Sequence, residues 1–159
     1  MSQKPLKRDV NIQPLSKDHH FTLLFCWKIR TGIRNKIEPE RIRKYVEYFW
    51  DADMKTHFRE EEEILFAPLH DEMVQQALDD HIQIAQDVTR VLSSTGAEAE
   101  AALNTLADRV EAHVRYEERE LFPHLERVLT SDQLAAIGTA LAKEEPLQEN
   151  YDDEFWVKK

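Results

Sequence analysis

Two segments of the chain repeat one pattern: HFREEEEILFAPL at residues 57–69 and HVRYEERELFPHL at residues 113–125. They share, in the same register and 56 residues apart, a histidine, an arginine, two adjacent glutamates, a Leu-Phe pair and a final leucine. Residues four apart lie on one face of an α-helix, so each histidine shares a face with the glutamate that follows it. Packing between helices explains the shared Leu-Phe pair, but it does not explain the shared histidine and glutamate.

The apolar periodicity around these segments predicts four long helices and a short fifth helix. Pro39 suits the first turn of the second helix, and Pro68 is expected to end it. Ser16 or Asp18 is expected to cap the first helix. TSDQ at residues 130–133 has the form of a capping box and opens the fifth. The predicted helices span residues 15–34, 39–66, 71–92, 97–128 and 131–143.

Four amphipathic helices with short connections predict an all-α fold, an antiparallel up-down-up-down four-helix bundle. We expect the bundle to occupy residues 12–128. The remainder, residues 129–159, is expected to form a short helix and an acidic C-terminal tail that packs on the bundle or extends from it.

The composition limits the class of protein. The chain has 159 residues, of which 42% are apolar, 33% are charged and three are glycine, and this balance suits a soluble helical domain with one core. A net charge of −10 argues against a nucleic-acid partner. No segment has the apolar length of a membrane span or the apolar region of a signal peptide. The single cysteine, Cys26, is typical of a reducing compartment, so we expect a cytoplasmic protein.

Each of the four long helices carries a histidine in its apolar stripe. In the first helix, the stripe through Leu15 favours His19, whereas the bulky neighbours Leu23 and Trp27 favour His20. His19 is preferred and His20 remains the alternative. The later helices contribute His57, His81 and His113, and the second and fourth add Glu61 and Glu117 one turn later.

Buried glutamates without partners are costly, so two of them in one core require cations. Four histidines and two glutamates are too many ligands for a closed tetrahedral zinc site. Imidazole and carboxylate ligands without a thiolate favour iron or manganese, and two ions rather than one. The pattern therefore predicts a buried site with two metal ions, with carboxylates able to bridge them.

Other polar residues near the predicted site receive weaker assignments. Asp53, one turn before His57, is expected to orient an imidazole. Apart from Glu61, the run Glu60–Glu63 is expected to form a solvated face. His70 is placed in a loop and His124 is assigned a structural role.

Cys26 and Tyr116 are candidates for redox roles near the site, because Cys26 lies on the stripe of the first helix and Tyr116 precedes Glu117. The more ordinary interpretation of both side chains is that they belong to the core.

With these residues in place, the chain resembles a hemerythrin-like (HHE cation-binding) domain over residues 12–128. The resemblance rests on DHH at residues 18–20, HFREEEEILF at 57–66, DDH at 79–81 and HVRYEERELFP at 113–123. It implies a non-haem di-iron centre with an oxo or hydroxo bridge, with manganese or zinc possible in purified protein. The implied ligands are His19 or His20, His57, Glu61, His81, His113 and Glu117, with the two glutamates as bridges.

The chain departs from the oxygen-carrying hemerythrins, which have a further histidine at the position of Ala85 and a more distant aspartate in place of Glu117. The missing imidazole predicts an open coordination position. The Glu-x-x-His of ferritin-like proteins and the His-Glu-x-x-His of zincins are both missing from the sequence.

Three functions follow from the resemblance. The first is binding or sensing of oxygen or a small oxidant. The alternatives are an enzyme acting on peroxide or nitric oxide, and a protein for iron storage, delivery or repair. Whether the chain is an enzyme, and whether it forms a homodimer, is left open by the sequence.

Overall fold

The computed structural model describes residues 7–157 and is all-helical in its regular structure, with no strand among these residues. The predicted four-helix bundle with a short C-terminal helix is confirmed. Residues 1–6, and residues 158–159 at the end of the predicted tail, lie outside the described part. The helices are α1 (Gln13–Arg34), α2 (Pro39–Phe49, Trp50–Met54, Lys55–Glu60 and Glu61–Leu65), α3 (Glu72–Ser93), α4 (Gly96–Tyr116, Glu117–Leu121 and Phe122–Val128) and α5 (Ser131–Ala142).

The predicted signals for helix ends are confirmed for α2 and α5 but not for α1. Pro39 opens α2, and Thr130 with Gln133 forms the capping box of α5. The prediction that Ser16 or Asp18 caps α1 is wrong, because α1 begins at Gln13 and both residues lie inside the helix. The first amides of α1 bond instead to backbone carbonyls, and the two side chains are free to reach other helices.

Two long helices contain short π-helical segments: Trp50–Met54 and Glu61–Leu65 in α2, and Glu117–Leu121 in α4. A π turn adds one residue to a helical turn and is frequent at functional sites. Two of these segments begin at the glutamate of the repeated pattern. Apolar periodicity does not detect such an insertion, so the sequence predicted unbroken α-helices.

The core consists of two apolar clusters. The first includes Phe25, Phe49 and Val110. The second includes Leu15 and Phe122 and is covered by side chains of α5. Along α1 the chain passes from Leu15 to Phe25, so His19 lies between the clusters. A polar layer is therefore enclosed by apolar side chains at both ends. Among residues 7–157, no helix combines the length and apolar character that crossing a bilayer demands.

The C-terminal tail packs on α1 and α2. The side chain of Phe155 is 3% exposed and belongs to the first apolar cluster. Glu149 accepts hydrogen bonds from Lys28 Nζ at 2.8 Å and from the Tyr45 hydroxyl at 2.5 Å. The Lys28 ammonium also lies 4.0 Å from the centre of the Trp156 ring. Both apolar and charged contacts hold the tail against the bundle.

We expect Phe155→Ala to lower the free energy of unfolding by about 3 kcal/mol, since it removes a buried aromatic ring from the core. Chemical denaturation followed by circular dichroism measures this change. Val157→Ala is the matched control, because Val157 is 50% exposed and the expected change is below about 0.5 kcal/mol. Equal stability of the two variants would show that the tail contributes nothing to folding.

Candidate metal centre

Six side chains from four helices meet in the polar layer, and none is more than 4% exposed. They are His19 from α1, His57 and Glu61 from α2, His81 from α3, and His113 and Glu117 from α4. His19 Nε2 lies 3.1 Å from Glu117 Oε1, and His81 Nε2 lies 3.0 Å from Glu61 Oε1. Within each repeated segment, Nε2 of the histidine approaches the glutamate four residues later, at 3.4 Å for Glu61 and 3.2 Å for Glu117.

These side chains form two overlapping groups whose donor atoms lie within 4.8 Å of one another. One group is His19, His57, Glu61 and Glu117, and the other is Glu61, His81, His113 and Glu117. Both carboxylates belong to both groups. Each group contains two imidazoles and two carboxylates, which is a donor set suited to a divalent transition metal.

Several donor atoms in this layer have no hydrogen-bond partner among the described residues. They are Nε2 of His57, Nε2 of His113, and one carboxylate oxygen each of Glu61 and Glu117. Buried polar atoms normally have partners, because leaving them unpaired costs free energy. A cation bound between the imidazoles and carboxylates would satisfy them, so the residues present fit a metal.

His19 and His20 take different positions. His19 lies in the polar layer, whereas His20 is exposed and its ring meets only the edge of Phe21 in the contacts observed. The bulky residues that favoured His20, Leu23 and Trp27, are 40% and 48% exposed. Successive residues of a helix are rotated by about 100° around its axis, so only one of two adjacent histidines can face the interior.

A second layer of four carboxylates surrounds the histidines. Each Nδ1 atom approaches an acidic side chain from another helix, and each of these acidic residues is the chain neighbour of an inner residue. The contacts are His19 with Glu118 at 2.7 Å, His57 with Asp18 at 3.4 Å, His81 with Glu62 at 2.6 Å and His113 with Asp80 at 3.0 Å. A carboxylate at Nδ1 keeps the proton there and leaves the Nε2 lone pair for a metal.

The sequence contains a signal for these outer carboxylates, because each one is the chain neighbour of an inner residue. The pairs are Asp18-His19, Glu61-Glu62, Asp80-His81 and Glu117-Glu118. The sequence pattern predicts a solvated face for the run around Glu61. That prediction is wrong for Glu60, which is only 4% exposed, and it missed the bond between Glu62 and His81. Adjacent acidic residues on a helix resemble a solvated surface unless the facing helix is known.

Asp53 does not take the role expected of it. Asp18, rather than Asp53, contacts Nδ1 of His57. Both carboxylate oxygens of Asp53 are buried and have no hydrogen-bond partner among residues 7–157. Burial raises the pKa of Asp53 to about 7, against the opposing effect of the His57 charge. Asp53 is therefore a buried acid that the inner and outer layers do not use.

The electrostatics of the inner layer favour ion pairs in the absence of a metal. Burial by itself lowers a histidine pKa, but Glu61 raises the pKa of His57 to about 9. In the same way Glu117 raises the pKa of His113 to about 10. Burial opposes ionisation of Glu61, yet the neighbouring histidines, His57 above all, hold its pKa well below the ordinary value. Metal binding would replace these protons, because ligating imidazoles must be neutral.

The two redox candidates of the sequence are engaged elsewhere. Cys26 belongs to the first apolar cluster, and burial raises the pKa of its thiol to about 12. The Tyr116 hydroxyl donates to the Met73 carbonyl at 2.7 Å. Of the remaining histidines, His70 lies in a loop and is exposed, and His124 contacts Asp71 at 2.7 Å, next to the start of α3.

A cavity of about 320 Å³ between α2 and α3 borders the centre at His81. Ala85 and Phe58 line it, and so do His81 and Glu62 of the inner and outer layers. The Phe58 ring stacks on the His81 imidazole, with 3.8 Å between the ring centres. The small side chain of Ala85 thus leaves space beside one of the inner histidines.

We expect Asp80→Asn to weaken metal binding by about 10-fold or more, because an amide cannot support the His113 imidazole as a carboxylate does. Asp79→Asn is the matched control, since Asp79 is exposed and bonds only to Gln75 on the same helix in the contacts observed. Competition with a chelator of known affinity measures both variants. Equal affinities would contradict a role for the outer layer in holding the metal.

Comparison with known proteins agrees with this geometry. The chain is 27% identical over 135 residues to a protein of Nostoc sp. (strain PCC 7120 / SAG 25.82 / UTEX 2576) called a DNA nickase, and the match covers 80% of this chain. The chain spans only 37% of that relative's length, so the relative's name describes a much longer protein. No solved structure matches the chain. The model of the hemerythrin HHE cation-binding domain matches residues 11–125. The chain belongs to the hemerythrin HHE cation-binding domain family.

Proposed function

We propose that the chain binds two iron ions, one in each of the two overlapping groups, and that this di-iron centre binds oxygen or a small oxidant in a sensing or binding role. The observation that carries the proposal is that both groups contain Glu61 and Glu117. A carboxylate shared by two groups of imidazoles suits a bridge between two ions. A single ion would leave two of the four histidines unused.

Iron is favoured by the donor atoms. The inner layer offers nitrogen and carboxylate oxygen, while the thiol of Cys26 lies in the apolar cluster. Imidazole and carboxylate suit iron and manganese, which accept more than the four ligands that each group supplies, whereas a structural zinc site is closed at four. Two imidazoles and two shared carboxylates per ion leave coordination positions for a small molecule. Bound iron would supply reversible redox chemistry at those positions.

The residues of the chain have separate tasks in this function. The outer carboxylates orient the imidazoles, and the apolar clusters keep bulk water away from both ends of the centre. The cavity beside Ala85 gives a small molecule a path to His81, past the ring of Phe58. Glu62 lines that cavity and bonds to His81, so a ligand that enters the cavity can alter this hydrogen bond.

A binding or sensing role is favoured over turnover by what surrounds the centre. Catalysis on peroxide or nitric oxide requires groups that deliver protons or electrons. The two side chains considered for this purpose, Cys26 and Tyr116, lie in the core or bond to a backbone carbonyl. Catalysis on peroxide or nitric oxide therefore remains an alternative function, together with iron storage, delivery and repair.

Metal content per chain and the near-ultraviolet and visible spectrum test the proposal directly. We expect about two irons per chain after anaerobic reconstitution, charge-transfer bands that appear on addition of air, and a shift of those bands on addition of azide. One zinc per chain, or no iron-dependent band, would contradict it. Turnover of peroxide or nitric oxide by the loaded protein would establish the enzyme instead, and rapid loss of iron to a chelator would favour storage or delivery.

DNA is not part of the proposed function. The name of the Nostoc relative concerns a protein of which this chain spans 37% of the length. The net charge of −10 opposes the approach of a polyanion.

A further inference from the structure

A third group of metal-binding side chains lies beside the centre, between α1 and α2. Asp18, His57 and Glu60 each offer a donor atom, and these atoms lie within 4.8 Å of one another. Asp53, one turn before His57 on α2, is not one of these donors, but its buried carboxyl interacts with the charges of His57, Asp18 and Glu60. We refer to the three acidic residues around His57, which are Asp18, Glu60 and Asp53, as the outer acidic group.

The outer acidic group places three carboxyl groups near the His57 imidazole. Asp53 is 3% exposed, both of its oxygens lack a hydrogen-bond partner among residues 7–157, and it interacts with the charges of Asp18 and Glu60. The nearby cationic side chains are used elsewhere. Lys28 pairs with Glu149, and Arg59 pairs with Glu63 and Glu144. A buried carboxyl without a hydrogen-bond partner is satisfied by binding either a proton or a cation.

The group is also within reach of solvent. A groove of about 360 Å³ is lined by Asp18 and Glu60 on one side and by Glu144 and Glu145 of the tail on the other. An ion that enters through this groove meets the carboxylates of the outer acidic group first and His57 of the centre next. Four side chains of the groove are acidic and attract cations, while most of the others are apolar and one is Lys17.

We propose that the outer acidic group binds a third divalent cation, and that this ion is in transit to the metal centre. The ligands are carboxylate oxygens, which suit hard divalent ions such as Fe²⁺ and Mn²⁺. The contact between Asp18 and His57, at 3.4 Å, is the longest of the four outer contacts, and this leaves the Asp18 carboxylate able to serve both the imidazole and an ion. The inference rests on the proposed function, because the transit site serves the centre.

The test compares two double variants with the same change in charge. Asp53→Asn with Glu60→Gln removes two of the three carboxylates of the outer acidic group and keeps Asp18 in place. Asp51→Asn with Glu63→Gln is the control, because both residues are exposed on the same helix. Mn²⁺ uptake is measured by electron paramagnetic resonance of the free ion. Fe²⁺ loading is measured by mixing protein and Fe²⁺ without oxygen, admitting air after set delays and reading the absorbance of the oxidised protein.

For wild type and control we expect two tightly bound Mn²⁺ per chain and a third, weaker one. For Asp53→Asn with Glu60→Gln we expect the third to disappear, the first two to remain, and Fe²⁺ loading to slow about 10-fold with an unchanged final spectrum. Two tight ions with no third ion in wild type would overturn this inference and leave the proposed function intact. A third ion with unchanged loading would overturn its role in transit. No tight ions in wild type would overturn both.

Discussion

Replacing Glu117 by alanine is expected to remove both metal ions, although it deletes only one of six inner side chains. Glu117 belongs to both donor groups, so each ion loses a ligand. The substitution also leaves the imidazoles of His19 and His113 without their nearest buried carboxylate. The expected loss of affinity exceeds the about 10- to 100-fold loss that accompanies removal of an outer-layer partner.

Metal content per chain after dialysis against a weak chelator measures this effect. Glu120→Ala is the matched control, because Glu120 is exposed, lies on the same π-helical segment and carries the same charge. The control is expected to keep two ions. If Glu117→Ala retained one ion at wild-type affinity, the carboxylate would serve a single ion and the two groups would be independent.

The metal-free protein is expected to lose stability as the pH rises from about 7 to about 10. The pKa of His57 is raised to about 9 and that of His113 to about 10, while those of His19 and His81 are raised as well. A histidine with a raised folded-state pKa stabilises the fold fully below its unfolded pKa, and this contribution is lost as the pH passes the folded pKa. The expected loss is on the order of a few kcal/mol.

Low pH is also expected to destabilise the metal-free protein, in this case through Glu61. Its folded-state pKa lies well below the ordinary value, so its contribution is present above pH 4.5 and is lost as the pH falls towards the folded value. Chemical denaturation of metal-free protein at a series of pH values measures the loss of stability at high pH and at low pH. Metal-loaded protein is the control, since bound metal replaces the protons of the histidines and binding strengthens as the pH rises. A metal-free protein that grew more stable between about pH 7 and 10 would contradict the ion pairs described above.

Helix positions and the inner layer were accessible from the sequence because both depend on spacing along one helix. His113 and Glu117 were predicted to lie on the interior face of the fourth helix, and both side chains are buried. Local chemistry likewise placed Pro39 at the start of α2 and the capping box at Thr130. A side chain's face on its own helix follows from residue number alone.

Most features that the sequence did not reveal depend on contacts with a second helix. The start of α1 is held by backbone contacts, so the side chains expected to cap it reach α2 and α4 instead. Asp18 and Asp53 both lie near His57, and only the packing of α1 on α2 decides that Asp18 contacts it. The π-helical segments at Glu61 and Glu117 change the register within a helix without changing the apolar pattern enough to be detected.

The sequence by itself determined that four helices each bring a histidine to the interior and that two add a glutamate, because helical period and residue type are local properties. Tertiary structure alone decided between His19 and His20, chose the carboxylate that holds each imidazole, buried Glu60 and Asp53, and packed Phe155 against the core. These outcomes depend on distances between helices, and such distances are fixed only when the apolar faces have packed together.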